Sequence, residues 1–380
     1  MKLDRRELAG AVADLGVLVP IAVALIVKNG LSPTAVLLPA GLLYLTAGLV
    51  YRLPVPVQPL KALGAIAIAR GLGSDEIAAA ALLMGAIFLV LGRVGLLDLA
   101  ARAFPRAVIR GVQLTVGLLF LKIAWKLVAD PPKSFAGHAL RPGVAVPLGA
   151  AVVAVALLAR RYPISLLLVG AGVTVMLVQA APSASLGPSP IEVPSLGAAT
   201  FWTAFTVLVL PQLPLTFTNS CIATADAART YFGEAASRVR SGRLATTLGS
   251  ANLFAGAISG MPVCHGAGGL TAHYAFGART GRAPIAMGSA LVVLAIAFGS
   301  SLAMLLSAFP LVILAGLLAT AGLLHIGLLR DLRGLVDWAL ALGVGILGFE
   351  VNLALAVGLG LAIWWLLRGT GRARTALVSG

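Results

Sequence analysis

Residues 103–119 read AFPRAVIRGVQLTVGLL, and residues 308–324 repeat them as AFPLVILAGLLATAGLL, without a gap and with 8 of 17 positions identical. A second pair of matching segments, the Pro-Val dipeptides at residues 56–57 and 262–263, recurs at almost the same separation. Similarity at a fixed separation indicates an internal repeat. The sequence therefore predicts two related halves, and the fold depends on how these halves are arranged.

The composition places both halves in a membrane. Of the 380 residues, 59% are hydrophobic and 11% are charged, and the mean hydropathy is +1.01, whereas a soluble domain has about 25% charged residues. A bilayer-crossing helix needs roughly 20 apolar residues, and the chain offers about 14 such segments. We predict spans at residues 9–27, 33–51, 57–70, 76–92, 106–128, 143–159, 163–181, 200–226, 243–258, 262–277, 284–304, 310–328, 335–348 and 350–367.

The positions of the basic residues explain the net charge of +15. With a cytoplasmic N-terminus, most of the 28 lysines and arginines fall at cytoplasmic helix ends or tails, as the positive-inside rule requires. This pattern favours a multi-pass protein of the cell membrane with both termini cytoplasmic, and no nucleic-acid partner. The first span fits this topology and lacks a small-residue cleavage site, so we expect a retained helix rather than a signal peptide.

The span order sets the symmetry of the two halves. The long repeated segments form spans five and twelve, and because seven spans separate them, the two copies cross the membrane in opposite directions. Inverted repeats are typical of secondary transporters, which hold substrate near the membrane midplane between the halves. We expect a first repeat at residues 1–181, an extracytoplasmic linker at 182–199 and a second repeat at 200–368.

Spans three and ten are the least compatible with a continuous helix. Residues 53–64 read LPVPVQPLKALG, and their closely spaced prolines favour extended backbone, with Pro59 suited to the start of a short helix. Residues 260–270 read GMPVCHGAGGL, another proline-led extended stretch before a glycine cluster. We predict two half-helices whose N-termini face each other and offer unpaired N–H groups to an anion. Irregular backbone at this depth requires surrounding protein or water.

Three segments resemble the signature sequences of the high-affinity molybdate transporter family, a branch related to the sulfate permeases. They are PVQPLKA at residues 56–62, PQLPLTFTNS at 211–220 and MPVCHGAGGLTAHYAFGARTG at 261–281. The resemblance extends over essentially the whole chain. Two departures are modest, since Leu60 stands where the family often has methionine, and residues 217–218 vary the segment before an asparagine.

The resemblance implies an all-α polytopic protein with 14 transmembrane segments, in the seven-plus-seven inverted-repeat fold shared with the uracil permease. It implies a core domain, at about 9–92 and 200–304, that moves against a gate domain, at about 106–181 and 310–367. It further implies molybdate bound between spans three and ten, with spans one and eight closing the site, and a homodimer. The chain ends shortly after the last span, so we expect no soluble C-terminal domain.

The candidate site residues are donors on both half-helices and on span eight. Gln58 is a neutral amide donor, and Lys61 is a basic residue near the expected midplane, where a charge indicates function. Gln212, Thr216 and Asn219 share one helical face through their i, i+4, i+7 spacing. The predicted substrate-binding residues are Gln58, Pro59, Leu60, Lys61, Gln212, Thr216, Asn219, His265, Gly266, Ala267 and Gly268.

Several of these side chains have a structural alternative. Gln58 can pair with the exposed backbone of the broken helix, and the polar face of span eight can join helices together. Lys61 can attract the anion or neutralise Asp14 or Asp226. Those two carboxyl groups are also candidates for proton coupling, because a buried carboxylate can bind a proton in the working pH range. Asp226 has the alternative of being capped by Arg229.

The motifs limit the functional class. The chain lacks a nucleophile elbow, a phosphate loop and a metalloprotease motif, so we expect no enzymatic activity and no cofactor. Cys221, Cys264 and His265 match no metal-ligand spacing. A secondary transporter of molybdate is favoured, with tungstate or sulfate left open by the residues alone. A nucleobase permease is less favoured, because Asn219 and Ala267 stand where such carriers place carboxylates, and an anion channel is the remaining alternative.

Overall fold

The computed structural model describes residues 4–102, 104–131, 139–159, 164–180 and 185–369, together with residues 135, 137 and 162. The ends of the two tails, and the junction of the predicted first repeat with the linker at residues 181–184, lie outside the described residues. Most of the described chain is helical, with one very small sheet.

The first half contains nine helices and one strand among its described residues. Pro33 and Pro142 stand in the first turns of their helices, where a missing N–H costs nothing. In chain order the elements are α1 (Arg5–Ala11), α2 (Leu15–Asn29), α3 (Pro33–Tyr51), β1 (Gln58–Pro59), α4 (Lys61–Arg70), α5 (Ser74–Arg93), α6 (Leu96–Arg102), α7 (Arg106–Ala129), α8 (Pro142–Leu158) and α9 (Ile164–Ala180).

The second half begins with a long helix that alternates between α and π geometry, with π-helical stretches at Ala204–Val209 and Thr216–Ala223. Its elements are α10 (Ala198–Thr203), α11 (Leu210–Leu215), α12 (Thr224–Phe232), α13 (Ser241–Ala257), β2 (Val263–Cys264), α14 (Ala267–Ala275), α15 (Arg282–Phe298), α16 (Leu302–Ser307), α17 (Leu311–Ile326), α18 (Leu335–Glu350) and α19 (Leu353–Gly369).

The helices make this a multi-pass membrane protein. Six described helical segments are long and apolar enough to cross a bilayer, and α1 with α2 adds a seventh as a pair bent by 43°. Three further apolar helices have 10–17 residues. The predicted spans three and ten are shorter than a full span, because extended backbone precedes α4, with 10 residues, and α14, with 9.

Helices from the two halves pack against each other in pairs. In the first bundle α3 packs on α15 and α5 on α13, and in the second bundle α7 packs on α17 and α18, with α8 on α17. Small residues allow this close approach. A Cβ on Gly85 of α5 would lie 2.7 Å from the backbone nitrogen of Leu253 and 3.0 Å from the carbonyl oxygen of Gly249. Glycine at residue 85 therefore sets the α5–α13 distance.

The two strands, β1 and β2, lie at the boundary between these bundles. We call this pair of strands the strand crossing. They pair antiparallel, with Gln58 opposite Cys264 and Pro59 opposite Val263, and the Leu60 N–H donates to the Pro262 carbonyl oxygen at 3.0 Å. The half-helix α4 follows β1 directly, and α14 follows β2. Because β2 contacts α13 of the first bundle, and α14 contacts α7 and α17 of the second, this crossing lies where the first bundle meets the second.

Candidate functional site

Neither half-helix is capped by the side chain of its own N-cap residue. Leu60 and Gly266 occupy the N-cap positions with extended backbone, and neither cap position carries a side-chain hydrogen bond in the described structure. The first N–H groups of any helix lack intrahelical partners, and they give its N-terminus a partial positive charge. Two such ends at one strand crossing create a region of positive potential to which the backbone N–H groups contribute.

A chain of side-chain hydrogen bonds runs along the start of α4. The Gln58 amide nitrogen donates to both carboxylate oxygens of Asp14, at 2.7 and 2.6 Å. The Gln58 amide oxygen accepts from the Lys61 ammonium group at 2.5 Å. Gln58 therefore bonds to charged side chains rather than to the broken backbone, and it joins Lys61 to Asp14 without a direct ion pair between them.

Half-helix α14 is covered by these same side chains. A Cβ on Gly266 would overlap the Gln58 amide oxygen, and a Cβ on Gly269 would overlap an Asp14 carboxylate oxygen and lie 2.7 Å from the Gln58 amide nitrogen. Glycine at both positions lets Gln58 and Asp14 pack directly on the backbone. The Asp14 carboxylate thus lies at the first turn of α14, where a negative charge is favoured.

Span eight contributes to the start of α4 through Gln212. The Leu63 N–H donates to the Gln212 side-chain oxygen at 3.0 Å, and the Gln212 amide nitrogen donates to the Thr216 hydroxyl at 2.9 Å. The helix becomes π-helical at Thr216, and a π-helical turn holds more residues than an α-helical turn. The predicted α-helical spacing therefore reaches only to Thr216. Asn219 lies beyond it, with its buried side-chain oxygen unpartnered among the described residues.

His265 links the strand crossing to neighbouring segments through hydrogen bonds. Its Nδ1 lies 2.9 Å from the Pro56 carbonyl oxygen and its Nε2 lies 3.0 Å from the Thr247 hydroxyl. Both ring nitrogens are thus engaged by protein groups, which leaves the imidazole no free polar atom for a substrate. Asn252 of α13 holds the neighbouring strand in the same way, since it accepts from the Val263 N–H at 2.8 Å and donates to the Val263 carbonyl oxygen at 2.7 Å.

Asp226 lies in a separate ionic cluster. It pairs with Arg110 of α7, which also binds Asp331 through two contacts at 2.9 and 2.5 Å and donates to Gln113 at 2.8 Å. The alternative in which Arg229 caps Asp226 is therefore wrong. The alternative in which Lys61 pairs with Asp226 is also wrong, because the Arg110 side chain, which is only 1% exposed, pairs with that carboxylate.

Phe120 of α7 is a site residue that the sequence did not indicate. The centre of its ring lies 5.8 Å from the Lys61 ammonium nitrogen, within the range of a cation–π interaction. A Cβ on Gly268 would lie 2.7 and 2.8 Å from two ring carbons. The ring therefore contacts the first turn of α14 and faces the first residue of α4. An aromatic residue in an apolar helix gives no sequence signal of such a position.

The site is closed to solvent in this structure. All of the predicted substrate-binding residues are buried, and Lys61 is 8% exposed. Among the described residues, no group of His, Cys, Asp and Glu could hold a metal ion. A separate open cavity of about 420 Å³ lies between α14 and α17, lined by Thr271, Arg279 and Arg330 among others. None of the predicted site residues lines that cavity.

Comparison with known sequences identifies one family. The sequence model of a family described as "Molybdate transporter of MFS superfamily" matches residues 6–120 and 204–324. "Molybdate transporter 1" of Arabidopsis thaliana is 30% identical over 357 residues, which cover 83% of this chain and 78% of that protein. "Molybdate transporter 2" of the same plant is 29% identical, and the alignment covers 95% of this chain and 87% of that protein.

Comparison with solved structures identifies the fold. The transmembrane domain of a cyanobacterium bicarbonate transporter, BicA, matches with a TM-score of 0.60 at 16% identity, over 93% of this chain and 97% of that chain. Murine Solute Carrier 26 family member A9, an anion transporter in the inward-facing state, matches with a TM-score of 0.64 at 14% identity. That match covers 98% of this chain and 70% of that chain.

Proposed function

The chain belongs to the molybdate transporter family, and we propose that it imports molybdate across the cell membrane by alternating access. It is a transport protein rather than an enzyme, and its substrate is an anion. The proposed architecture is 14 transmembrane segments arranged as two inverted repeats of seven. The proposed position of the anion is between the N-termini of half-helices α4 and α14.

The strand crossing is the observation that carries this proposal. It holds the start of α4, the start of α14 and the Lys61 ammonium group together in a buried site. In such a low-dielectric site, N–H groups and a single cation attract an anion more strongly than they would in water. A tetrahedral oxyanion has four oxygen acceptors, which matches a site composed of donors on several sides.

The two bundles supply the moving parts. We assign the core domain to the first bundle with both half-helices, and the gate domain to α7–α9 and α17–α19. Lys61 and Gly268 then belong to the core, whereas Phe120 belongs to the gate. Movement of the core against the gate would expose the buried site to one side of the membrane at a time.

Asp14 suggests a role for protons. Its carboxylate already lies against the first turn of α14, where the proposed anion would interact with the same positive end. A molybdate dianion and an ionised Asp14 would repel each other in a buried site. Protonation of Asp14 removes that repulsion, so we propose that molybdate enters together with a proton. Asp226, held by Arg110, is a weaker candidate for this role.

Calorimetry on the purified protein tests the proposed function. We expect tight molybdate binding that is displaced by tungstate, which matches molybdate in shape, charge and size, and not by a large excess of the smaller sulfate ion. Equal competition by sulfate would reassign the protein to general sulfate-type transport. Binding of uracil alone would reject an oxyanion site. Saturable counterflow in proteoliposomes would distinguish a carrier from a channel.

Two further proposals concern the assembly and its orientation. We propose a homodimer with both termini in the cytoplasm, as the fold and the distribution of basic residues favour. Mass measurement of the purified protein in lipid discs tests the dimer. Labelling of single cysteines placed at the two tails from either side of the membrane tests the orientation.

A further inference from the structure

The Phe120 ring lies between the charged Lys61 side chain and the backbone of Gly268. Its face lies 5.8 Å from the Lys61 ammonium nitrogen, and its edge contacts the backbone at Gly268. The ring is fully buried. It thus reaches both half-helix starts at once, at the position where a bound anion would have to contact the same two elements.

The negative face of the ring also attracts the Lys61 ammonium group. In the described chain, the Lys61 nitrogen has one hydrogen-bond acceptor, the Gln58 oxygen, and no carboxylate within ion-pairing distance. A cation over the face of an aromatic ring is attracted by the ring, and the attraction is stronger when both are desolvated. Phe120 therefore takes part of the role that an anion would have in the filled site.

Phe120 lies in the second bundle, across the bundle boundary from Lys61 and Gly268. Phe120 belongs to α7, and a Cβ on Gly322 of α17 would lie 3.1 Å from the Phe120 Cβ, so this residue is fixed against its own bundle. Lys61 and Gly268 belong to the half-helices. Movement of one body against the other would separate the ring from both partners, so the contact belongs to the closed arrangement of the site.

We propose that Phe120 acts as a substitute for the substrate, which stabilises the closed carrier when no anion is bound and so permits the empty carrier to return. This inference rests on the proposed transport function. In the cycle, an entering anion replaces the ring as the partner of Lys61. After the anion leaves, the ring returns, so the Lys61 ammonium group again has a direct partner in place of the anion while the site closes.

The Phe120→Ala variant tests this role. Without a competing ring, we expect molybdate to bind about tenfold more tightly, as loss of an opposing interaction of about 1.4 kcal/mol would produce. Net uptake should also fall about tenfold, because the carrier without anion loses the same stabilisation of its closed form and therefore returns more slowly. Molybdate–molybdate exchange should be retained, because the carrier then returns loaded.

The controls separate this role from packing. Phe349→Ala removes a ring that lies 5.0 Å from the Lys122 ammonium nitrogen, also on α7, and should change neither binding nor net uptake. If Phe120→Ala does not fold, Phe120→Leu keeps apolar bulk without an aromatic face and should shift binding and net uptake in the same directions. Equal losses of net uptake and exchange, or unchanged or weaker binding, would show that the ring only packs.

The result is distinguishable from a failure of the proposed function. If the wild-type protein binds no molybdate and exchanges none, the transport proposal itself is wrong. If the wild-type protein binds and exchanges molybdate while Phe120→Ala matches it in net uptake, the transport proposal stands and the role of the ring is rejected.

Discussion

The two half-helices begin at one strand crossing but are built from opposite kinds of residue. The start of α4 has polar side chains of its own segment, Gln58 and Lys61, and its Leu63 N–H donates to Gln212. The start of α14 carries only small residues, and side chains from other elements cover it. The two half-helices therefore share a strand-then-helix geometry but differ in chemistry: the start of α4 provides a charged side chain, and the start of α14 provides backbone N–H groups.

The largest effect is expected from removing the charge on α4. Lys61→Met should weaken molybdate binding about 100-fold, since a charge-assisted hydrogen bond in a buried site contributes about 2–3 kcal/mol. Calorimetry measures this loss. Lys122→Met is the matched control, because that lysine is exposed on α7, and its binding should equal that of the wild type. Equal affinity of the Lys61 variant and this control would remove α4 from the site.

The second-largest effect is expected from a side chain added at the glycine-rich start of α14. Gly269→Ala places a methyl group against Asp14 and Gln58, so we expect about tenfold weaker binding and a loss of about 1–3 kcal/mol in the free energy of unfolding. Gly64→Ala in α4 is the control, since its Cβ would meet only the Ile21 side chain, at 3.1 Å. Thermal melts and calorimetry should show the control close to wild type. Equal binding and equal stability of the two variants would mean that the close packing at the start of α14 does not matter for function.

A smaller effect is expected from the carboxyl group that joins the two half-helices. Wild-type uptake should rise as the pH falls, by at most about tenfold per pH unit for a single coupled proton. Asp14→Asn keeps the shape without the charge, so its uptake should not vary with pH. Uptake into proteoliposomes at several pH values measures this, with the exposed Glu192→Gln as the control. A pH dependence that persists in Asp14→Asn would assign coupling to another group.

The sequence predicted the half-helices because prolines and glycines act locally. The prolines at residues 54, 56 and 59 restrict the backbone wherever the chain folds, and Gln58 and Lys61 follow in the same segment. Gln58 and Lys61 do lie together at the start of α4, joined by a hydrogen bond. Local chemistry was therefore sufficient to locate this part of the candidate site.

Contacts between distant helices could not be predicted in this way. Arg110 reaches Asp226 and Asp331 across more than 100 residues of sequence, and Phe120 reaches Lys61 from another bundle. His265 was expected near the substrate, yet Pro56 and Thr247 take its ring nitrogens. These outcomes depend on helix packing, which residue types alone do not specify. The π-helical stretch after Thr216 likewise changed a spacing that assumed an α-helix.

The most direct test of the central claim is a structure of the protein with tungstate, whose electron-dense metal marks the position of the anion. The account predicts tungstate at the strand crossing, with its oxygens within hydrogen-bonding distance of the Lys61 ammonium group and the first N–H groups of α14. Tungstate found only in the cavity lined by Arg279 and Arg330, with the strand crossing still filled by Phe120, would contradict it.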